Sequence, residues 1–345
     1  MQDEAFFGPL AKLVEHTRGA PTATILGRTV HLIGAADARA EGKLRGLTAY
    51  LIAIDEATLL PEDYVAQALA RLSVPGASCL MTTNPGPPAH WLRKKYILRA
   101  GELDLRTWHF TLDDNPALPA DYVASLKAEL TGMFYRRMVL GEWCAGDGAI
   151  WEGFDPERHV VKDVPPGTMV LAVGVDYGNV NPFAALMLGL TPDGRLIFMR
   201  EWRYESKLTH KQMTDAEYSK ALAGWITPDA PRYLVVDPSA ASFRVQLHRD
   251  AVGTVAPADN EVLDGVREVA SLFATNRLLV HESCTGLIDE IPGYSWDDEK
   301  AEKGEDAPVK VDDHSCDAAR YAIRTTRTLW RSQIAAPERF ALLPA

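Results

Sequence analysis

Three aspartates stand where their elements end, and their types and spacing allow metal-assisted chemistry. Asp176 closes the apolar run Met169-Val-Leu-Ala-Val-Gly-Val175 and is followed by Tyr177-Gly178. Asp237 closes Tyr233-Leu-Val-Val236 and precedes Pro238. Asp317 lies in Val311-Asp-Asp-His-Ser-Cys-Asp-Ala-Ala-Arg-Tyr321, which reads as a helix. Asp313 and Asp317 are four apart there, and His314 and Asp317 three apart, so both pairs share a face. A helix start accounts for a capping aspartate but does not need His314 and Asp317 as well. Two strand-end carboxylates and one from a late helix can meet at one sheet edge, where like charges repel unless a cation lies among them. Mg²⁺ or Mn²⁺ held there would be both counter-ion and catalyst.

A second acidic pair, Asp55-Glu56, ends the strand Tyr50-Leu-Ile-Ala-Ile54. This is the pattern of a Walker B strand, whose aspartate holds the water shell of Mg²⁺ and whose glutamate orients a water on ATP. A strand running into a capped helix would also place acids there. Thr82, Thr83 and Asn84 follow the next buried strand, where a polar group could sense a γ-phosphate. No Gly-x-x-x-x-Gly-Lys-[Ser/Thr] occurs in the 345 residues; Gly42-Lys43 is followed by Leu44 and lacks the preceding glycine. Without that loop there is no backbone cradle for phosphates.

Arg320, Arg324, Arg327 and Arg331 continue the late helix at spacings of four, three and four, which puts them on one stripe. Such a stripe could grip DNA phosphates beside the acids; a solvated face or internal ion pairing gives the same spacing. Trp91-Leu-Arg-Lys-Lys-Tyr96 mixes basic and aromatic residues, as a nucleic-acid surface or an ordinary solvated helix would. The cysteines, Cys79, Cys144, Cys284 and Cys316, have no zinc-ligand spacing and read as free thiols.

The elements that must position these residues fall into two halves. Residues 1–145 read as α/β, with short apolar strands at 29–33, 50–54 and 78–82, a helix from Pro61 to about Leu72 and another over 120–140. A glycine- and proline-rich stretch follows, predicting a linker over 146–165. The second half, 166–332, opens with the strand to Asp176. Two strands joined by the hairpin signal Thr191-Pro-Asp-Gly194 come next, then a helix near 209–225 and the strand to Asp237. Residues 294–311 read as two short strands around an acidic run, and 312–329 as the last helix; 333–345 is a tail. With 47% hydrophobic and 24% charged residues the chain is globular, not largely disordered. No apolar run approaches the roughly 18 residues of a membrane span. A net charge of −11 excludes a protein coated in basic charge, so any DNA contact is confined to a face.

Taken together, the motifs resemble the large terminase subunit of tailed bacteriophages and prophages. The residues that carry the resemblance are Lys43-Leu-Arg-Gly46, Ile52-Ala-Ile-Asp-Glu-Ala57, Thr82-Thr-Asn-Pro85, Gly141-Glu-Trp143, Gly174-Val-Asp-Tyr-Gly178, Val236-Asp-Pro238 and Asp312-Asp-His-Ser-Cys-Asp-Ala-Ala-Arg-Tyr321, in the family's order. The resemblance implies a P-loop ATPase domain of RecA/ASCE type, here without its first part, joined to an RNase H-like nuclease with a mixed central sheet flanked by helices. It implies Glu56 as the catalytic glutamate, Asp55 as the Walker B aspartate, and Thr82, Thr83 and Asn84 as the motif coupling hydrolysis to movement. Asp176, Asp237 and Asp317 would be the acids binding two Mg²⁺ or Mn²⁺ ions, with His314 or Asp313 as a further ligand. The implied activity is endonucleolytic cutting of concatemeric double-stranded DNA during packaging. ATP would drive the complete protein, with turnover by this chain not expected. The implied partners are DNA, a portal protein, on which a ring oligomer would form, and a small terminase subunit, in the cytoplasm of an infected or lysogenic bacterium and without a membrane. Two other readings fit parts of the pattern: an RNase H-like nuclease of the junction resolvase or transposase type, and a non-catalytic assembly protein that binds the portal.

Overall fold

The computed structural model describes residues 12–34, 40–178 and 182–335. The chain forms two compact units, Met1–Asn84 and Pro85–Ala345.

In the first unit, β1 (Val14–Glu15), β2 (Thr22–Ile25) and β3 (Arg28–His31) make a small antiparallel sheet. Strands β4 (Leu51–Ile54) and β5 (Ser78–Met81) pair in parallel, with Leu51 opposite Ser78 and Ile54 opposite Met81. A parallel pair needs a crossover, and helix α1 (Glu62–Leu69) lies within it, burying Tyr64, Val65 and Ala68. Pro61 precedes its first turn, and Glu62 and Asp63 favour its positive end.

The second unit is built on a seven-stranded mixed sheet. Its strands are β6 (Val160–Val161), β7 (Met169–Asp176), β8 (Phe183–Leu190), β9 (Leu196–Tyr204), β10 (Tyr233–Val236), β11 (Val255–Pro257) and β12 (Leu278–His281). Their spatial order is β11-β10-β7-β8-β9-β12-β6. The β7–β8 and β8–β9 pairs are antiparallel, and all other pairs are parallel. Three antiparallel strands flanked by two parallel ones, β9-β8-β7-β10-β11, constitute an RNase H-like sheet, which β12 and β6 extend beyond β9.

Every residue of β8 is buried. Its alternate side chains serve two cores: Ala184, Leu186, Leu188 and Leu190 on one face, Phe183, Ala185 and Met187 on the other. That is why a strand of period two appears in the sequence as one continuous apolar run. Helices α4 (Asp215–Ile226) and α5 (Ala241–Arg249) cover the second face through Tyr218, Leu222, Phe243 and Leu247. Helices α6 (Val262–Ala274), α7 (Thr285–Glu290) and α8 (His314–Thr325) cover the first. Helix α8 lies against β7 and β8, and Ala318, Ala319 and Ala322 on it are fully buried. A Cβ on Gly174 of β7 would stand 2.0 Å from the Ala318 carbonyl oxygen and 2.9 Å from Ala322 Cβ. Small residues on both partners therefore set how closely the helix approaches the sheet.

Several elements depart from the sequence expectation. The helix expected over 120–140 is two, α2 (Ala120–Glu129) and α3 (Gly132–Met138), because Leu130 and Thr131 are extended and Gly132 takes a φ of +50°. Both belong to the second unit: Leu130, Met133 and Phe134 join its core, and Arg137 pairs with Asp306 in a buried ion pair. The two units thus divide at Asn84–Pro85, ahead of the expected boundary at 145. Residues 146–165, expected as a linker, are packed: Trp151 is buried and donates to the Val266 carbonyl at 3.2 Å, and β6 pairs with β12. Residues 294–311 hold two isolated bridges, Ala149 with Ser295 and Trp296 with Pro308, around a short helix over Asp298–Glu302 instead of two strands. Asp297 caps that helix by accepting from Lys300 N–H at 3.1 Å, which turns an acidic run into a helix start.

The contact at Gly174 generates a prediction. Gly174→Ala inserts a methyl group against backbone that cannot yield, so it should destabilise the second unit by about 2 kcal/mol or more. Urea unfolding followed by tryptophan fluorescence measures this; an unchanged midpoint would show that α8 does not rest on β7 in this way.

Candidate functional site

Asp176 is the last residue of β7, opposite Ala184, and Asp237 follows β10 directly. The Asp237 N–H donates to the Val175 carbonyl at 3.1 Å, so the two aspartates leave neighbouring parallel strands at the same edge. Ser239 holds the Asp237 carboxylate through its N–H and its hydroxyl, each at 2.8 Å. Helix α8 brings the remaining groups. His314 Nδ1 lies 2.8 Å from Asp176 Oδ2, and the Asp317 N–H donates to the Asp313 carbonyl at 2.8 Å, one turn apart. Asp176, Asp237, Asp313, His314 and Asp317 line one cavity of about 450 Å³, together with Tyr177, Lys207, Lys310 and Asp312.

Asp176, Asp237, Asp313 and Asp317 each already have a partner. Lys310 Nζ bridges Asp313 Oδ2 at 2.9 Å and Asp317 Oδ2 at 2.7 Å. The other Asp317 oxygen accepts from Arg320 Nη2 at 3.0 Å, and the same nitrogen reaches Asn260 Oδ1 at 3.0 Å. Among the described residues no three His, Cys, Asp or Glu side chains converge closely enough to hold a metal ion as they stand. Burial pushes the Asp176 carboxyl up, Asp317 and Asp237 add like charge, and the His314 hydrogen bond opposes them. For His314, burial disfavours the imidazolium but the Asp176 carboxylate outweighs it, and its pKa is raised. Within the pair each group's charged form is favoured by the other and disfavoured by burial. Lys310 behaves likewise: burial works against its charge, Asp317 and Asp313 more than offset this, and its pKa is raised.

A buried network behind the cavity holds the start of α8. Glu290 Oε2 accepts from the N–H groups of Ser315 at 2.7 Å and Cys316 at 3.1 Å, which caps the helix end that carries His314. Arg203 pairs with Glu290 and donates to Ser315 Oγ at 2.9 Å; Ser315 donates to Glu201 Oε1 at 2.6 Å. Burial pushes Glu290 up, with Arg203 opposing. Neither this network nor Lys310 was recognised in the sequence. Lys310 lies three before Asp313 and seven before Asp317, but outside the helix, so helical periodicity could not single it out.

In the first unit the expected nucleotide-site residues are mutually bonded at the ends of β4 and β5. Thr82 donates to Asp55 Oδ1, and Asn84 Nδ2 lies 3.2 Å from both oxygens of Glu56. Thr83 Oγ1 accepts from the Thr58 N–H at 3.1 Å. Glu56 has φ 51° and ψ 51°, a left-handed conformation that costs a non-glycine residue about 1 kcal/mol. Strain of this kind is retained where the surroundings over-determine it, commonly at functional positions.

The arginines do not form an open stripe. Arg320 is 1% exposed and committed to Asp317 and Asn260, with its guanidinium 4.8 Å from the Tyr321 ring centroid. Arg324 pairs with Asp259 at 3.1 Å and Asp264 at 2.9 Å, and Arg327 with Glu268 at 2.8 Å. Burial pushes Glu268 up to about 7, with Arg324 and Arg331 opposing. Internal ion pairing, the alternative to a DNA-facing stripe, accounts for the spacing of Arg320, Arg324 and Arg327. Arg331 is exposed.

The sequence profile of the family described as terminase large subunit, T4likevirus-type, N-terminal, matches residues 11–158. The large terminase of a thermophilic bacteriophage is 36% identical, with 90% of this chain and 78% of that one covered and a TM-score of 0.84. The structure of the same phage's terminase in complex with ADP gives 36% identity, coverage of 91% and 78%, and a TM-score of 0.81. The large terminase subunit of Escherichia phage T5 is 26% identical over 294 residues, which are 79% of this chain and 64% of that protein. The chain thus spans just under two-thirds of the length of the T5 relative.

The arginine pairing sets a second expectation. Arg320→Met strips a buried carboxylate of its fixed partner and should cost roughly 3 kcal/mol in a denaturant titration. Arg324→Ala, whose carboxylate partners are partly exposed, should cost about 1 kcal/mol. Two variants as stable as the parent would return these arginines to a solvated, DNA-facing role.

Proposed function

The chain belongs to the bacteriophage large terminase family, and from that premise we propose that its second unit is a divalent-metal endonuclease cutting double-stranded DNA for packaging. The convergence of Asp176, Asp237, Asp313 and Asp317 on one cavity carries this proposal. Their donors are hard carboxylate oxygens, the chemistry that suits Mg²⁺ and Mn²⁺ over softer metals. Asp176 and Asp237 from the strands, with Asp317 and Asp313 from the helix, would hold two such ions. Bound there, the ions supply Lewis acidity and a water acidic enough to act as nucleophile near neutral pH.

The protein's own groups prepare that chemistry. The His314 hydrogen bond works against the burial that raises the Asp176 pKa, and so favours the ionised form in which a carboxylate is a ligand. Ser239 fixes the direction of Asp237, and Arg320 that of Asp317. Lys207 and Lys310 place positive charge on the cavity wall, where a phosphate diester would enter. The positioning is electrostatic and set before substrate arrives.

We assign residues 1–145, the first unit together with the opening stretch of the second, to the ATPase-derived part, with residues 166–332 as the nuclease. Asp55 and Glu56 would serve nucleotide hydrolysis, with Thr82, Thr83 and Asn84 coupling it to movement. The hydrogen bonds from Thr82 to Asp55 and from Asn84 to Glu56 support that assignment, since these two residues already touch the acids they would report on. Portal protein, small terminase subunit and host cytoplasm follow as the working environment of such a subunit.

Two measurements on the full chain test the nuclease. Mn²⁺ should raise the melting temperature by binding the native state preferentially, and should switch on nicking of supercoiled plasmid. Asp176→Asn should remain folded, lose nicking and lose most of the Mn²⁺-induced rise. A variant that nicks as well as the parent would remove the proposed centre and leave a non-catalytic assembly role in its place.

A further inference from the structure

Of the cations around the carboxylates, Arg320 and Lys310 differ in one decisive respect. Arg320 is 1% exposed, projects from α8 itself, and shares its bond to Asp317 with Asn260. It is a permanent part of the wall. Lys310 has a side chain 53% exposed and reaches the carboxylates from outside the helix. Its backbone is tied down next door, where the Val309 N–H donates to the Ser295 carbonyl at 2.9 Å and Pro308 bridges to Trp296. Asp312, in the strained left-handed region at φ 49°, joins this segment to α8. The ammonium can therefore leave by side-chain rotation alone, without movement of the chain that carries it.

We propose that Lys310 is a built-in cation that occupies the Asp313–Asp317 position and that a divalent ion reaches these two carboxylates only by displacing it. This rests on the metal-centre proposal above and adds a regulation of that centre. While the ammonium lies between the two oxygens, Asp313 and Asp317 are compensated, and the helix-borne half of the centre is closed to a metal ion. Asp176 and Asp237 lie outside the reach of this bridge, so the strand-borne half remains the first to load. The released ammonium then lies on the wall of the same cavity, beside Lys207, where a diester phosphate provides its next partner. Loading of the second ion and engagement of substrate thus become linked events.

The test is calorimetric titration of Mn²⁺ into the full chain, comparing the parent with Lys310→Met, Lys310→Gln and Lys310→Arg, with circular dichroism to confirm folding. Removing a unit charge about 3 Å from two carboxylates at a half-exposed site should tighten Mn²⁺ binding by about tenfold. Met and Gln should both show this, and Arg should bind no more tightly than the parent. Asp176→Asn in the Lys310→Met background should weaken binding again, which places the ion in the same cavity. If the parent binds Mn²⁺ and neither Met nor Gln binds it more tightly, the competition by Lys310 is refuted while the metal centre stands. If neither parent nor Lys310→Met binds Mn²⁺, the metal centre itself fails, and the competition with it.

Discussion

Four aspartates gathered at one edge of a sheet repel one another, and in a partly buried cavity water screens that repulsion poorly. Much of the second unit is arranged around this cost. Basic groups answer three of the four within hydrogen-bond distance: His314 for Asp176, Lys310 for Asp313, Lys310 and Arg320 for Asp317. Asp237, farthest from these cations in the bonding pattern, is held by the neutral donors of Ser239. Internal compensation makes the cluster compatible with a stable fold. It also leaves a centre that a doubly charged ion can enter only by rearranging existing pairs, and the exposed lysine is the pair most easily rearranged.

The fold serves that cluster by bringing a late helix unusually close to an early strand. Gly174 on β7 and Ala318 and Ala322 on α8 leave no side-chain volume at the crossing, so the helix settles onto the sheet and carries Asp313, His314 and Asp317 to the strand ends. Glu290 fixes the helix start from below, using a buried carboxylate that Arg203 neutralises. Packing sets the height of the helix and the Glu290 network sets its end, which together determine where the acidic side of the helix faces. The same logic of bonded acids holds in the first unit, where Asp55 and Glu56 are each tied to a residue at the end of the neighbouring strand.

Strand ends were legible in the sequence because β7 and β10 are uninterrupted apolar runs that stop at an aspartate, and a doubly covered strand has no other signature. The pairing of α8 with those ends was legible through the three- and four-residue spacing of its acids and histidine. The arginines of the same helix have equally regular spacing, yet three of them face inward to Asp259, Asp264, Glu268, Asn260 and Asp317. Periodicity identifies a shared face but not what lies opposite it. Residues 146–165 carry glycine and proline as a linker does, but Trp151 and β6 give that segment a buried role through partners more than a hundred positions away. Lys310 escaped notice for the opposite reason: it belongs to no periodic element, and only the folded chain shows which acids it reaches.

Anomalous scattering from a crystal of the full chain soaked in Mn²⁺ is the most direct test that the ends of β7 and β10 and the first turn of α8 form one divalent-metal centre. Such a centre predicts a strong peak in this cavity, bonded to carboxylate oxygens of Asp176 and Asp237, with Asp313 or Asp317 joining a second peak once Lys310 has moved aside. A saturated soak with no peak there, or with manganese bound only at other surface carboxylates, would contradict it.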